Sequence, residues 1–343
     1  MTTSSNAPDI DVIETEYVDR LLEWIEVYAP ADRRGPNRFN GEWTITTGQQ
    51  SHVYIDGPRT GELSAPDGYT IWDMVLTGDQ LLVVFSEETI GDYRIELHDL
   101  ANGNTTLLEE WGGAPAQHVV PHVSVGSQWV VWDTMPSDGT HCIRAVPIAT
   151  AHTDQPVDVV CVDDPEVNLA MPTVSDGTVT YRMATRDPDL CLTLYSGLLP
   201  DNGDSSFAPT KLPHQECLGF YGISNRGLSV WVELDVERGD PRSAPLYATT
   251  TETDDLYALG RTSALGIALC GGKVVWHKEL IDNVELRSWV PGARTVSVVY
   301  RSEPDWYPTT SPSCDADWVV VSNSFTGEGT FGTRVLAASV DDL

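Results

Sequence analysis

The chain of 343 residues has little positive charge: only three residues are lysine, and 20 Lys and Arg stand against 51 Asp and Glu, a formal net charge of −31. Nucleic-acid binding depends on Lys and Arg that neutralise phosphates, and docking on anionic lipid depends on basic clusters. The charge therefore argues against both kinds of partner, and we expect neither.

Long apolar runs are also absent, whereas a membrane-spanning helix needs about 20 consecutive, mostly apolar residues. Residues 1–8 contain neither the basic region nor the apolar stretch of a signal peptide. We therefore expect no membrane span. The polar start fits a mature exported protein whose leader is absent from this sequence, and a cytoplasmic start is the alternative.

Several short catalytic and metal-binding motifs are missing as well. The chain has no G-x-S-x-G, no H-E-x-x-H, no C-x-x-C and no phosphate-binding loop. A standard serine hydrolase, zinc protease, zinc ribbon or nucleotide-binding enzyme therefore has no support from the sequence.

Six similar apolar runs, each entered from a polar turn, are present instead. They begin at residues 80, 128, 178, 228, 273 and 317, with spacings of 48, 50, 50, 45 and 44 residues. A period of about 40–50 residues built from short strands is typical of propeller blades. Turn signals such as Asp176-Gly177 precede the runs and favour tight hairpins. The sequence predicts an all-β, six-bladed β-propeller with four-stranded blades over residues 69–343.

The N-terminal part is expected to complete this ring. The sixth repeat ends at Leu343 after its third strand, so residues 42–46 or 52–56 would supply the fourth and remove an open sheet edge. Deleting residues 1–57 would then destabilise the whole protein. Apolar residues spaced along 11–28 predict a short helix that Pro30 ends. We expect a tail with this helix at 1–38 and one propeller domain at 39–343, as a monomer.

The repeated unit, a polar turn followed by a run such as Trp-Val-Val-Trp at 129–132, resembles the blades of TolB-like six-bladed propellers. The Ser-Pro-Asp-Gly signature of those blades is largely missing, and Asp176-Gly177 is its nearest remnant. The resemblance implies the propeller fold, and no catalytic residue carries over from it.

Two cysteine pairs occupy equivalent positions in successive repeats, at the start of a third strand and the end of a fourth. Adjacent ends of antiparallel strands can bring Cα atoms within the roughly 4.4–6.8 Å that a disulfide needs. We predict two disulfides, Cys142–Cys161 and Cys191–Cys217.

The remaining cysteines, Cys270 and Cys314, end the inner strands of adjacent repeats and are interpreted as buried thiols. Two disulfides would indicate a protein that works outside the reducing cytosol. The cysteines therefore favour an extracytoplasmic location, secreted or attached to the surface.

The loops that enter the inner strands are expected to share one face around the channel mouth. Convergent polar groups in a concavity are the default hypothesis for a site. The candidate ligand-binding residues on this face are His118, His122, Glu166, His214, Glu216, Asp305, Trp306 and Tyr307. The aromatic residues that could form a platform for a sugar or a peptide are Trp72, Trp111, Trp306 and Tyr307.

The acidic loops make this face a poor place for anions unless a cation binds first, because its expected basic residues are few: Arg186, Arg238 and Arg301. No cofactor is predicted, although carboxylate pairs such as Asp163/Asp164 and Asp315/Asp317 leave Ca²⁺ open. The shortage of basic residues favours a binding or scaffold propeller that engages a protein or glycan through the channel face. The alternative is a lyase, lactonase or glycosidase with a His/carboxylate site at the channel mouth.

Overall fold

The fold is described from a computed structural model. It describes residues 12–27, 37–48, 51–87, 91–111, 120–135, 140–186, 189–200, 207–214, 217–234, 243–251, 255–262, 266–280, 283–304, 306–308, 311–315, 317–327 and 330–343. Within these ranges the chain is all-β, with two 3-10 turns at Ile148–Thr150 and Val340–Asp342. None of the described residues forms a helix long and apolar enough to cross a membrane.

Three short strands occupy the segment for which a helix was expected: β1 (Val12–Glu14), β2 (Glu16–Asp19) and β3 (Ile25–Val27). The prediction of a helix over 11–28 is therefore wrong. The segment is rich in Val, Ile and Tyr, which pack well on pleated sheets. Its backbone groups find partners on sheet edges far along the chain, and such tertiary pairing outweighs a weak helical pattern.

The remaining strands form seven sheets arranged as blades. Blade 1 contains β4 (Arg38–Phe39), β5 (Thr44–Gly48), β6 (His52–Asp56) and β7 (Gly61–Ser64). Blade 2 contains β8 (Thr70–Thr77), β9 (Gln80–Ser86), β10 (Tyr93–Asp99) and β11 (Asn104–Trp111). Blade 3 contains β12 (Val123–Val125), β13 (Trp129–Thr134), β14 (His141–Pro147) and β15 (Val157–Val162). Blade 4 contains β16 (Val167–Ser175), β17 (Thr178–Thr185), β18 (Cys191–Leu198) and β19 (Thr210–Lys211).

Blades 5 to 7 also include the N-terminal strands. Blade 5 contains β20 (Gly219–Ser224), β21 (Leu228–Glu233), β22 (Ala244–Thr250) and β23 (Leu256–Thr262), with β1 parallel to β23. Blade 6 contains β24 (Ile267–Cys270), β25 (Lys273–Glu279), β26 (Val284–Trp289) and β27 (Thr295–Arg301), with β2 parallel to β27. Blade 7 contains β28 (Trp306–Pro308), β29 (Ser313–Asp315), β30 (Trp318–Gly327) and β31 (Thr330–Ser339), and β3 is its outer strand.

The structure corrects the predicted number of blades from six to seven. The six predicted apolar runs coincide with the second strands of blades 2 to 7. Blade 1 was missed because its second strand, β5, reads Thr-Ile-Thr-Thr-Gly and lacks an aliphatic-aromatic run. The two segments expected to close the ring are the paired second and third strands of this extra blade, with Ile45 opposite Ile55.

An N-terminal strand does complete the last blade, but it is β3 rather than residues 42–46 or 52–56. Ile25 lies opposite Ala337 and Val27 opposite Val335 in an antiparallel pair. The chain start thus covers the edge of the last blade, where an unpaired strand would invite aggregation. Deleting residues 1–57 would remove this strand and most of blade 1. The loss of stability expected from this deletion stays a prediction.

The core lies between neighbouring blades. Trp132, Trp231 and Trp276, each in a second strand, are completely buried. Their clusters join strands of adjacent sheets: the cluster around Trp276, for example, combines residues of blades 5 and 6. These tryptophans therefore pack in the interfaces between blades.

Three disulfides are present. The two predicted bridges, Cys142–Cys161 and Cys191–Cys217, are both formed, with Cα atoms 4.1 and 4.3 Å apart. The interpretation of Cys270 and Cys314 as thiols is wrong, because they form a third bridge with a Cα separation of 5.4 Å. They lie on β24 and β29, the inner strands of blades 6 and 7.

Candidate functional site

The inner strands of all seven blades surround a central channel. The cavity has a volume of about 420 Å³, and each blade contributes to its wall; one lining residue per blade, in order, is Arg38, Val75, Val123, Val174, Tyr221, Leu269 and Ser313. A concavity to which every blade contributes is the usual place for a ligand in such a ring.

Three inner strands have a register shift in their pairing with the second strand of the blade. The register shifts between Ile71 and Asp73 in β8, between Ala170 and Thr173 in β16, and between Gly219 and Tyr221 in β20. A bulge adds a residue to one strand and redirects the neighbouring side chains, and bulges are common beside sites. All three occur near the mouth of the channel at which the inner strands begin.

A group of charged and phenolic side chains, which we call the channel-mouth cluster, lies at this level. It comprises Arg38, Asp73, His122, Asp133, Arg182 and Tyr221. Arg38 Nη2 lies 3.4 Å from Asp73 Oδ1, and the Arg38 side chain is only 11% exposed. Burial lowers the pKa of Arg38, and the charge of Asp73 opposes that effect. Arg38 and Asp73 thus form an ion pair at the wall of the channel.

Asp73 and Tyr221 also interact. Partial removal from water raises the pKa of Asp73, although Arg38 and a hydrogen bond from the Met74 backbone favour its charged form. Burial, followed by the negative charge of Asp73, raises the pKa of Tyr221 to about 12. Tyr221 therefore keeps its proton at neutral pH.

His122 and Asp133 form the second pair of the cluster. The His122 backbone N–H donates to Asp133 Oδ1 at 2.7 Å, and His122 Nδ1 lies 3.2 Å from Asp133 Oδ2. Burial alone would lower the pKa of His122, but the hydrogen bond and charge of Asp133 outweigh it, and the pKa is raised. Asp133 Oδ2 also accepts from the backbone N–H of Met171, at 2.9 Å, which orients the carboxylate.

Arg182 lies beside these two residues. Its Nη1 donates to Met171 Sδ at 3.3 Å, and its guanidinium lies 5.0 Å from the centre of the Phe220 ring. Burial lowers its pKa, and the charge of Asp133 acts in the opposite direction. His122, Asp133 and Arg182 line a second cavity of about 160 Å³, which we call the blade 3–4 pocket.

Only some of the predicted site residues lie in this region. His122 lines the blade 3–4 pocket, whereas Glu166, His214 and Trp306 do not. Glu166 and His214 are exposed in loops. Tyr307 lies in β28, and His118, Glu216 and Asp305 lie outside the described residues.

The expected aromatic platform does not form as one surface. Trp72 lies in the inner strand of blade 2 and is 44% exposed. Trp111 ends the outer strand of the same blade and packs against the core between blades 2 and 3. Trp306 belongs to blade 7 and lies under the guanidinium of Arg334, 4.1 Å from the ring centre.

The charge of the channel mouth also differs from the sequence-based expectation. Arg301 lies on the outer strand β27 and pairs with Glu285 and Asp19, away from the channel. Among the described residues, the arginines that line the channel or the pocket beside it are Arg38 and Arg182, which the sequence analysis had not placed there. The only available signal for Arg182 was a charged residue within the otherwise uncharged second strand of its repeat.

Calcium stays a prediction without a located site. Among the described residues, the one group of three or more potential metal ligands is Cys142, Asp158 and Cys161, and its two sulfurs are bonded to each other. Asp315, a member of a proposed carboxylate pair, accepts hydrogen bonds from Asn40 Nδ2 and the Gly78 backbone instead. Asp315 therefore joins blade 7 to blades 1 and 2.

Comparison with known proteins identifies the fold alone. No protein-family model and no curated protein sequence matches the chain. A prolyl endopeptidase structure matches with a TM-score of 0.60 and 12% identity, over 91% of this chain and 48% of that one. The β-propeller domain of the Trilobed protease from Pyrococcus furiosus, described as having an open velcro topology, matches with a TM-score of 0.57 and 10% identity, over 90% of this chain and 97% of that domain.

TolB from Acinetobacter baumannii is also among the matches, with a TM-score of 0.46 and 14% identity, over 72% of this chain and 60% of that one. The propeller fold rests on the matches with TM-scores of 0.60 and 0.57. The chain spans about half the length of the prolyl endopeptidase that it matches. The fold and the seven blades place this chain among the β-propellers.

Proposed function

We propose that this protein is a binding propeller that engages a peptide or protein ligand through the face of the channel at which its inner strands begin. The observation that carries the proposal is the channel-mouth cluster, in which two arginines and a histidine are partly withdrawn from water around a channel. Partly desolvated charges next to a concavity can supply specific recognition, since their interactions are stronger there than in bulk water.

The site of action is proposed to be outside the reducing cytosol, with the protein secreted or attached to the surface. All six cysteines are paired in three disulfides. Such bridges persist in oxidising compartments and are rare in the cytosol. We further propose that the protein acts as a monomer.

Photo-crosslinking tests the proposed face. The purified full chain is incubated with a pool of random hexapeptides carrying a benzophenone group, irradiated, digested and analysed by mass spectrometry. We expect labels near Trp72 and Tyr221, on inner strands. Labels restricted to outer strands, near the exposed Leu107 or Val157, or no retained peptide at all, would contradict the proposal.

An enzymatic role is the second candidate, and the His122–Asp133 pair favours it. A histidine oriented by a carboxylate and with a raised pKa can act as a general acid or base near neutral pH. A screen of lyase, lactonase and glycosidase substrates tests this role. Turnover by the wild type that Asp133→Asn abolishes would support it, and no turnover of any of these substrate classes would count against it.

A further inference from the structure

Arg182 carries a positive charge that the described chain does not pair. Its only hydrogen bond within the described residues goes to the sulfur of Met171, a weak acceptor. Its Nε is buried and has no hydrogen-bond partner in that part of the chain. Buried charges in proteins are normally paired, because an unpaired one loses its solvation without compensation. The arrangement leaves donors of a rigid guanidinium available to an anion.

The surroundings of Arg182 reinforce this preference. His122 lines the same pocket, and Asp133 favours its protonated form. The Asp133 carboxylate is already occupied, because it accepts hydrogen bonds from two backbone N–H groups and faces the His122 ring. Arg182 and a histidine whose pKa is raised therefore face a pocket in which Asp133, the carboxylate among its described lining residues, is committed to the protein itself.

The remaining wall of the blade 3–4 pocket combines apolar and polar side chains. Val120, Met135, Leu169 and Ala170 supply its apolar surface, and its polar members are Tyr93, Thr134, His141 and Asn168. Its volume of about 160 Å³ is small compared with the roughly 300–1,000 Å³ of pockets for drug-sized ligands. The space therefore suits one residue of a ligand rather than a long segment.

We propose that the blade 3–4 pocket binds the C-terminal carboxylate of a peptide whose last side chain is apolar, with Arg182 as the principal anchor. The guanidinium fork matches a carboxylate in a bidentate arrangement, and the apolar residues of the wall accept the terminal side chain. An acidic sugar also carries a carboxylate, but Val120, Met135, Leu169 and Ala170 favour an apolar side chain over a ring that carries hydroxyl groups. The inference rests on the proposed peptide-binding function and specifies which end of the peptide is recognised.

Matched peptide pools test the inference. Fluorescently labelled random hexapeptides ending in Val or Leu are synthesised as free acids and as C-terminal amides, and their binding to the full chain is measured by fluorescence anisotropy. The protein variants are Arg182→Gln, Arg182→Lys and, as a control, Arg226→Gln, which removes an exposed arginine outside the pocket. Melting curves of all variants establish that each is folded.

We expect the wild type and Arg226→Gln to bind the acids at least about tenfold more tightly than the amides, since a hydrogen-bonded charge contributes about that much. Arg182→Gln should abolish this preference, and Arg182→Lys should retain part of it. Equal binding of acids and amides would overturn the C-terminal inference and leave the peptide-binding function standing. Failure of both pools to bind, or binding of galacturonate oligomers instead, would overturn both.

Discussion

The side chain of His277 provides a test of how burial in the propeller core changes the pKa of a titratable group and links stability to pH. His277 lies in β25, is 2% exposed, and its Nε2 has no hydrogen-bond partner among the described residues. Burial lowers its pKa from 6.5 to about 4. The folded state therefore keeps the imidazole neutral under conditions in which the unfolded chain takes up a proton.

The sign and size of the effect follow from this difference. Because the pKa of the folded state lies below that of the unfolded state, the contribution to stability is complete above pH 6.5 and is lost as the pH falls towards about 4. Each pH unit in that window corresponds to about 1.4 kcal/mol. Between pH 7 and pH 4.5 the free energy of unfolding should therefore fall by about 2–3 kcal/mol through this residue.

Urea unfolding followed by tryptophan fluorescence at pH 7 and pH 4.5 measures this loss. The perturbation is His277→Leu, which removes the titrating group and leaves the backbone hydrogen bonds of residue 277 with Gly266 and Thr262 in place. The control is His152→Gln at an exposed position. We expect the loss of stability between the two pH values to be about 2–3 kcal/mol smaller in His277→Leu than in the wild type and in the control. Equal losses in all three proteins would refute the reasoning.

Three further predictions concern other contacts. The Glu109 side chain is 8% exposed and accepts hydrogen bonds from Tyr93 and Arg144. Glu109→Gln should therefore lower the free energy of unfolding by about 1–3 kcal/mol. Glu110→Gln, at the exposed neighbour, should lower it by less than about 1 kcal/mol in the same urea titration. Gly260 has a φ of +92°, and an added Cβ would collide with Tyr17 Oη. Gly260→Ala should therefore displace β2 and lower the free energy of unfolding by about 2–3 kcal/mol. An unchanged melting temperature would contradict this contact. Asp133→Asn should lower the pKa of His122, as measured by NMR, because Asp133 raises that pKa; Asp73 acts in the same direction and the charge of Arg182 opposes both. In the wild type, the stabilisation from the raised pKa is present below about pH 6.5 and is lost as the pH rises through the pKa of the folded state. An unchanged pKa of His122 in the variant would contradict the pairing.

The second strands of blades 2 to 7 could be predicted from sequence because each is buried on both faces. Such a strand reads as a continuous apolar run, which is visible without knowledge of its neighbours. Blade 1 follows the same architecture with a different composition: Thr46 and Thr47 are buried where other blades carry aliphatic residues. A search for apolar runs therefore misses it, and the count of blades was one too low.

The site depended on contacts that no local pattern contains. Arg182 meets Phe220 of the next blade, and Asp133 holds His122 within its own blade. The bulges that shape the channel mouth arise where an inner strand mismatches its partner, and a mismatch is a property of the pair. The same holds for Cys270 and Cys314, whose separation depends on how blades 6 and 7 pack together.

The sequence by itself determined that this acidic chain is a propeller of repeated four-stranded blades, since strand periodicity and turn residues act locally. It also identified two of the three disulfides, because each bridge lies within one repeat: Cys142–Cys161 joins the adjacent strands β14 and β15, and Cys191–Cys217 joins β18 to the segment before β20. Only the tertiary structure decided that there are seven blades, that β1 to β3 join the outer edges of blades 5 to 7, and that two arginines lie near the channel mouth. Ring closure and the approach of charges across blades result from pairing between segments far apart in sequence, and such pairing depends on the packing of whole blades.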